Sequence, residues 1–383
     1  MKRAISLDVF RGYAIVTMIL SGTIASGVLP GWMYHAQVGP RSNHTFDPTI
    51  LGITWVDLVF PFFLFAMGAA FPFSIGGKIE KGESTWRIMW ECLLRGMRLT
   101  FFAIFIQHMY PWVTSSPQDA TAWLLSIGVF LLMFPMFMKI PLKIPSWMRV
   151  LIELLSYGVA IYLLLSVSYA GDRKFSLSFS NIIILVLANM ALFGSFSYLF
   201  TQHNKWWRIG ILPFVMAIFL GSSTDGSWQK EFMDFSPLPW MYRFYYLKYL
   251  FIVIPGTIAG EYLKEWMSVR TEQDRMQSLE NRRTLWVLLI SVLIVVVNLY
   301  GLYTRSLVLN LFLTIGLLVL LERLLRMPGN DASCWHKLFM VGAYLLMLGL
   351  FFEAYEGGIR KDHSTSVSYT HSEPTRLDVI SYA

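Results

Sequence analysis

Charge is scarce in this 383-residue chain: only 14% of its residues are Asp, Glu, Lys or Arg. An average soluble domain carries roughly 25%. The shortage excludes a disordered chain, which stays solvated through its charge, and a nucleic-acid-binding domain, which needs a dense basic surface. Cysteine is nearly absent as well. Cys92 and Cys334 lie in or beside apolar segments and build no disulfide or zinc framework. The sequence also lacks a GxSxG elbow, a Walker A loop and a GxGxxG turn. What fills the chain is apolar: 55% of residues are hydrophobic, and the mean hydropathy is +0.53. Lipid solvates apolar side chains in that quantity, so the expected class is all-α, a polytopic transmembrane helical bundle.

A hydrocarbon core about 30 Å thick takes roughly 20 apolar residues per helix. That ruler predicts spans near 12–30, 55–76, 92–113, 121–139, 148–169, 181–200, 207–221, 245–266, 284–303, 306–322 and 337–355, eleven in all. The first follows Met1-Lys2-Arg3 without a small-residue cleavage site, so it reads as a retained helix. With a cytoplasmic N-terminus, 21 Lys and Arg fall on the inside and 7 on the outside before the tail. That bias is the positive-inside rule, and it accounts for most of the net charge of +7 without any nucleic-acid patch. The expected location is a bacterial inner (cytoplasmic) membrane. The longest outside connections are then 31–54 and 222–244. Residues 1–362 read as one transmembrane domain with a seam at the polar linker 267–283. Residues 363–383 change character, and Val367-Ser-Tyr-Thr-His-Ser-Glu-Pro-Thr-Arg376 resembles translated sequencing-adapter read-through. The expectation is a non-native tail, with the true C-terminus missing.

Four polar features stand where lipid makes polarity expensive. In Ser6-Leu-Asp-Val-Phe-Arg-Gly12, Asp8 and Arg11 are three apart on one helical face, close enough to pair. They either orient the first span or offer Arg11 to a phosphate arriving from the cytoplasm. In Gly52-Ile-Thr-Trp-Val-Asp57-Leu-Val-Phe-Pro61, Asp57 sits at the outer boundary of the second span, as a helix cap or as a reactive group. Pro61 removes a backbone donor four residues on. His35 and His44 occupy the connection 31–54, where a histidine can relay a proton near neutral pH. Two histidines nine apart, with no third ligand nearby, make no metal site. Last comes the basic inner mouth of Arg87, Arg95, Arg98 and Lys264, suited to lipid head groups or to the phosphates of a nucleotide. Gly68 and the pair Gly256 and Gly260 read as small residues for helix packing.

In this order, these residues resemble the heparan-α-glucosaminide N-acetyltransferase family of multi-span membrane acyltransferases. Arg3-Ala-Ile-Ser-Leu-Asp8-Val-Phe-Arg11-Gly12 is similar to that family's first-helix signature. Gly52-Ile-Thr-Trp-Val-Asp57-Leu-Val-Phe-Pro61-Phe-Phe-Leu-Phe-Ala-Met-Gly68 is similar to its second, and Ile254-Pro-Gly-Thr-Ile-Ala-Gly-Glu-Tyr-Leu263 to a later one. The likeness runs to about Asp362. It implies transfer of acetyl from cytosolic acetyl-CoA to an amino sugar or glycan across the membrane, with a histidine of the first outer loop essential. His44 fits that position best by spacing, with His35 the fallback and Asp57 in support. Asp8, Arg11, Arg95 and Arg98 would hold the donor at the inner mouth. An asparagine the family carries at the end of span 1 falls on Gly22 here, so Ser21, Thr23 or a backbone amide would have to take its place. No metal is implied; membrane lipids surround the bundle, and a homodimer is compatible with it. The competing expectation is a non-enzymatic transporter or flippase for a glycan or lipid, with Asp57 and the histidines as a proton relay. Such a protein tends to show duplicated halves with matching broken helices, and the sequence shows none.

Overall fold

The computed structural model describes residues 4–25, 27–40, 43–45, 47, 49–138, 145–171, 173–269, 282–326 and 332–356. No strand occurs among them. In chain order the helices are α1 (Ile5–Thr23), α2 (Trp55–Glu80), α3 (Thr85–His108), α4 (Ala120–Phe137), α5 (Ser146–Ser166) and α6 (Ile182–Thr201). They continue as α7 (Lys205–Gly221), α8 (Trp228–Asp234), α9 (Leu250–Val269), α10 (Arg282–Thr304), α11 (Leu307–Arg326) and α12 (Ala332–Glu356). Seven of them, α1, α2, α4, α5, α6, α10 and α11, are long and apolar enough to cross a membrane. The other expected spans overlap α3, α7, α9 and α12, which fall short of that measure. Among them, α3 carries Arg87, Glu91, Arg95 and Arg98, and α7 has only 17 residues. The protein is an all-helical membrane protein.

Several helix starts follow from local chemistry. The side chains of Asp119, Asn181 and Asn204 accept hydrogen bonds from Ala122, Ile184 and Trp206, satisfying amides that open α4, α6 and α7. α6 is not uniform. A π turn, Met190–Gly194, interrupts it directly after the buried Asn189, whose Nδ2 donates to the carbonyls of Leu185 and Met241.

The chain divides into two compact units, with boundaries at 77/78 and 251/252. The polar linker 267–283, most of it outside the described residues, lies within the first unit. The 363–383 tail is also outside them. Each unit has one central apolar helix. In α2 and in α6, 61% of the most apolar stretch is buried, against 11–22% for the other five membrane-length helices. In the second unit α3 runs along α6, α4 pairs with α5, and Phe105, Met109, Val129, Met136, Ala160 and Leu164 form a core. In the first unit α10 pairs with α11 around Ile290, Ile294, Leu321 and Leu325. α2 lies directly against α9. A Cβ added at Gly68 would strike the Val253 carbonyl; one at Gly256 or Gly260 would strike the carbonyl of Phe65 or Ala69. Those three glycines let the two backbones touch, as small residues do in membranes.

Candidate active site

The described residues of the connection from α1 to α2 are held down at several points. The Tyr34 hydroxyl accepts from the amides of Val28 and Leu29 and donates to the Ala25 carbonyl, at 2.8–3.1 Å. Asp47 N–H bonds the Gln37 carbonyl at 2.9 Å, and Gln37 Nε2 reaches the carbonyls of Ile50 and Gly52 at 3.3 and 3.5 Å. The loop therefore doubles back, laying residues 35–37 beside residues 50–54. Gly52, at φ +133°, packs beside the Leu302 carbonyl on α10, a conformation and a fit that favour glycine. Hydrogen bonds from the Thr49 hydroxyl and amide hold the Asp47 carboxyl below its ordinary pKa.

That fold-back brings His35 to Asp57. His35 Nδ1 and Asp57 Oδ1 are 2.7 Å apart. The other carboxylate oxygen closes the start of α2. Thr54 N–H donates to Oδ2 at 2.8 Å, the Thr54 hydroxyl donates at 3.0 Å, and Ala36 N–H donates at 3.4 Å. Thr54-Trp-Val-Asp57 is thus a capping box in which the acidic residue at the third helical position reaches back to the cap amide. Asp57 serves as both cap and histidine partner, one oxygen for each. It is only 5% exposed; four donors and its place at a helix N-terminus offset the cost of burying its charge. The His35 side chain is 35% exposed. A proton on Nδ1, facing the carboxylate, would leave the basic lone pair on Nε2, an arrangement suited to proton transfer.

The spacing argument favours His44 as the partner of Asp57; the geometry corrects it. His44 stands edge-on to the Tyr34 ring at 5.5 Å, and its amide bonds the Gly39 carbonyl. Its backbone is left-handed at φ +59°, after Asn43 at +55°, a conformation uncommon outside glycine but enriched in Asn and His. His44 Nδ1 is buried with no hydrogen-bond partner among the described residues, and so are Gln37 Oε1 and Trp55 Nε1.

At the other end of α1, an Arg11 amino group reaches the Ala66 carbonyl of α2 at 3.4 Å, and Phe10 packs on Phe62 and Phe65. Asp8 is half-buried one turn earlier. Lys264 Nζ donates to the Pro72 carbonyl at 2.9 Å. On the second unit, Arg95 is exposed, while Arg98 forms an ion pair with Glu153 at 2.6 Å. Arg98 is therefore engaged by protein already. The hydroxyls of Ser21 and Thr23 donate back to the carbonyls of Met18 and Ile19, within α1. Both hydroxyls beside Gly22 are thus bonded inside α1. Among the described residues no group of three or more His, Cys, Asp or Glu is placed to hold a metal ion.

Residues 3–263 match the family described as a domain of unknown function, DUF5009. The chain belongs to that family. The matched stretch takes in the His35–Asp57 pair, the Asp8 and Arg11 helix start and all three packing glycines, and ends before α10. No curated protein and no solved structure matches the chain.

Sequence reasoning passed over Thr54, Gln37 and Trp55. A Thr three residues before Asp57 is the capping-box signature and marks Thr54. Gln37 and Trp55 carry no such signal. It also passed over Arg208 as more than an inner-face cation. In the second unit Arg208 is fully buried, its Nε donating to the Thr201 hydroxyl at 3.0 Å and its guanidinium 4.6 Å from the Tyr198 ring centre.

Proposed function

We propose that this protein is a multi-pass acyltransferase with eleven spans and a cytoplasmic N-terminus, set in a bacterial cytoplasmic membrane. It moves acetyl from cytosolic acetyl-CoA to an amino sugar or glycan on the far side. The observation that carries this reading is the short contact between His35 Nδ1 and the buried carboxylate of Asp57. His35, rather than His44, is the general base. As the acceptor amine attacks the thioester carbonyl, Nε2 takes the amine proton, and a C–N bond forms. The tetrahedral adduct then collapses by C–S cleavage, and the proton passes to the departing thiolate, leaving free CoA and the N-acetyl product. Asp57 fixes the tautomer that leaves Nε2 basic and stabilises the imidazolium formed on the way, the part an aspartate takes in other His–Asp pairs. Arg11 offers its charge to the donor's phosphates on the cytoplasmic side. Arg95 and Arg98 are a separate basic set with the same chemistry, and Arg98 is the weaker candidate because Glu153 occupies it.

The test is to incubate purified protein with labelled acetyl-CoA and a panel of hexosamines, following CoA release and labelled sugar together. Acetylated product that disappears in His35→Ala supports the assignment. Glycan movement across a vesicle membrane with no acetyl-CoA consumed would replace it with a transporter. Topology is read separately by cysteine labelling at Asn43 and at Lys81, which should respond from opposite faces.

A further inference from the structure

Two buried polar atoms without a partner among the described residues belong to residues next to those that bond the Asp57 carboxylate. On the loop side is Gln37, two residues from His35 and next to Ala36, whose amide bonds Asp57. Its Nε2 holds the 50–52 backbone, while Oε1 accepts no hydrogen bond among the described residues. On the helix side is Trp55, next to Thr54, which supplies two of the four donors to Asp57. Its indole N–H likewise finds no acceptor among the described residues. Gln37 is more than nine-tenths buried at 9% exposure. A buried acceptor and a buried donor thus each sit one residue from a group that bonds Asp57. His44 Nδ1 is a third such atom, its ring set against Tyr34, the neighbour of His35. Buried polar groups are nearly always paired, and leaving one unpaired destabilises a fold. Three of them in the single segment 37–55, all tied to the reacting pair, mark a place shaped for a polar ligand.

We infer that Gln37 Oε1 and Trp55 Nε1, with His44 Nδ1 beside them, bind the hydroxyl groups of the acceptor sugar and hold its amine at His35. This rests on the acyl-acceptor reading of the site and adds the residues that select the acceptor. A hydroxyl is both donor and acceptor, so one class of ligand satisfies all three atoms: Gln37 Oε1 accepts a hydrogen bond from it, Trp55 Nε1–H donates one, and neutral His44 Nδ1 can do either. Aliphatic amines supply only the reacting group.

The experiment measures binding and turnover on the full chain, using glucosamine, glucose and cyclohexylamine as probes. Trp55→Phe keeps the ring and removes the N–H; Gln37→Met keeps the length and removes the acceptor. Each lost neutral hydrogen bond is worth about threefold to tenfold. Each variant should weaken glucosamine and glucose binding by that factor in a calorimetric titration and raise the glucosamine KM equally. The KM for acetyl-CoA and the weak binding of cyclohexylamine should stay as they are. Equal glucosamine binding by wild type and both variants overturns the inference, and so does a wild type that binds cyclohexylamine as tightly as glucosamine, the mark of sites filled by water alone. Failure of the acyltransferase reading looks different: the sugars bind, the variants weaken them, and no acetyl is transferred. Unchanged melting temperatures exclude a folding defect as the cause.

Discussion

Each unit of the molecule holds a histidine through its Nδ1, and the two partners are of opposite kinds. His35 has a carboxylate on Nδ1 and a side chain one-third open. His108, at the end of α3, is 1% exposed and packed by Tyr169, Phe175 and Phe179 at ring distances of 5.1–5.4 Å. Its Nδ1 meets the Ile104 carbonyl at 2.8 Å, and its Nε2 accepts from Ser176 N–H at 3.4 Å. Both nitrogens of His108 are spent on neutral backbone groups, which suits a neutral ring that ties the Ser176 loop to the helix. His35 has instead a carboxylate oxygen 2.7 Å from its Nδ1. On the proposed reading, the partner on Nδ1 separates the structural histidine from the reactive one.

The largest test of that contrast is His35→Ala, which should cut acetyl transfer by roughly 10²–10⁴-fold, the usual loss for a general base. His44→Ala should cost far less and act on the acceptor KM; equal kcat losses would erase the distinction drawn between them. Next comes Asp57→Asn. It keeps the shape but presents a neutral partner to Nδ1, so kcat should fall by about 10²-fold or more while acetyl-CoA binding persists in a direct titration. His108→Leu supplies the opposite half of the comparison. It leaves Ser176 N–H without its acceptor, so thermal denaturation in detergent should show a loss of about 1–3 kcal/mol, with activity per folded molecule unchanged. A drop in kcat would mean that His108 is also reactive. Thr54→Val removes one of four donors to the Asp57 carboxylate and should cost about 0.5–1.5 kcal/mol of stability, with a small fall in kcat. The smallest effect belongs to Asp47. Its pKa is lowered in the folded state, so its contribution to stability is present above the ordinary carboxylate pKa and is lost as pH falls through the folded value. Thr49→Ala should bring that titration, followed by NMR, back toward the ordinary value.

The apolar runs of α2, α6, α10 and α11 show in the sequence because lipid demands long apolar stretches, and the glycines of α2 and α9 show because their spacing has one evident use. Asp57 was legible as a costly charge. Its partner was not, since spacing measures distance along the chain and the loop doubles back. The hydrogen bonds from Asp47 to Gln37, and from Gln37 to Ile50 and Gly52, bring the remoter histidine nearer than the adjacent one. The π turn after Asn189 and the setting of His108 left no trace in the sequence either, because both arise from contacts made by neighbouring apolar segments.

The backbone contact between α2 and α9 has a consequence for the order of synthesis. α2 leaves the ribosome early, but the helix that covers Gly68 follows only after all of Lys78–Phe251. At roughly 5–20 residues per second, that delay is on the order of ten to thirty seconds. Over that interval the most buried membrane-length helix of the first unit lacks the helix that touches its backbone, and a nascent chain arrested before Gly256 holds α2 without that partner. Supplying α9–α12 as a separate polypeptide should therefore rescue such a fragment.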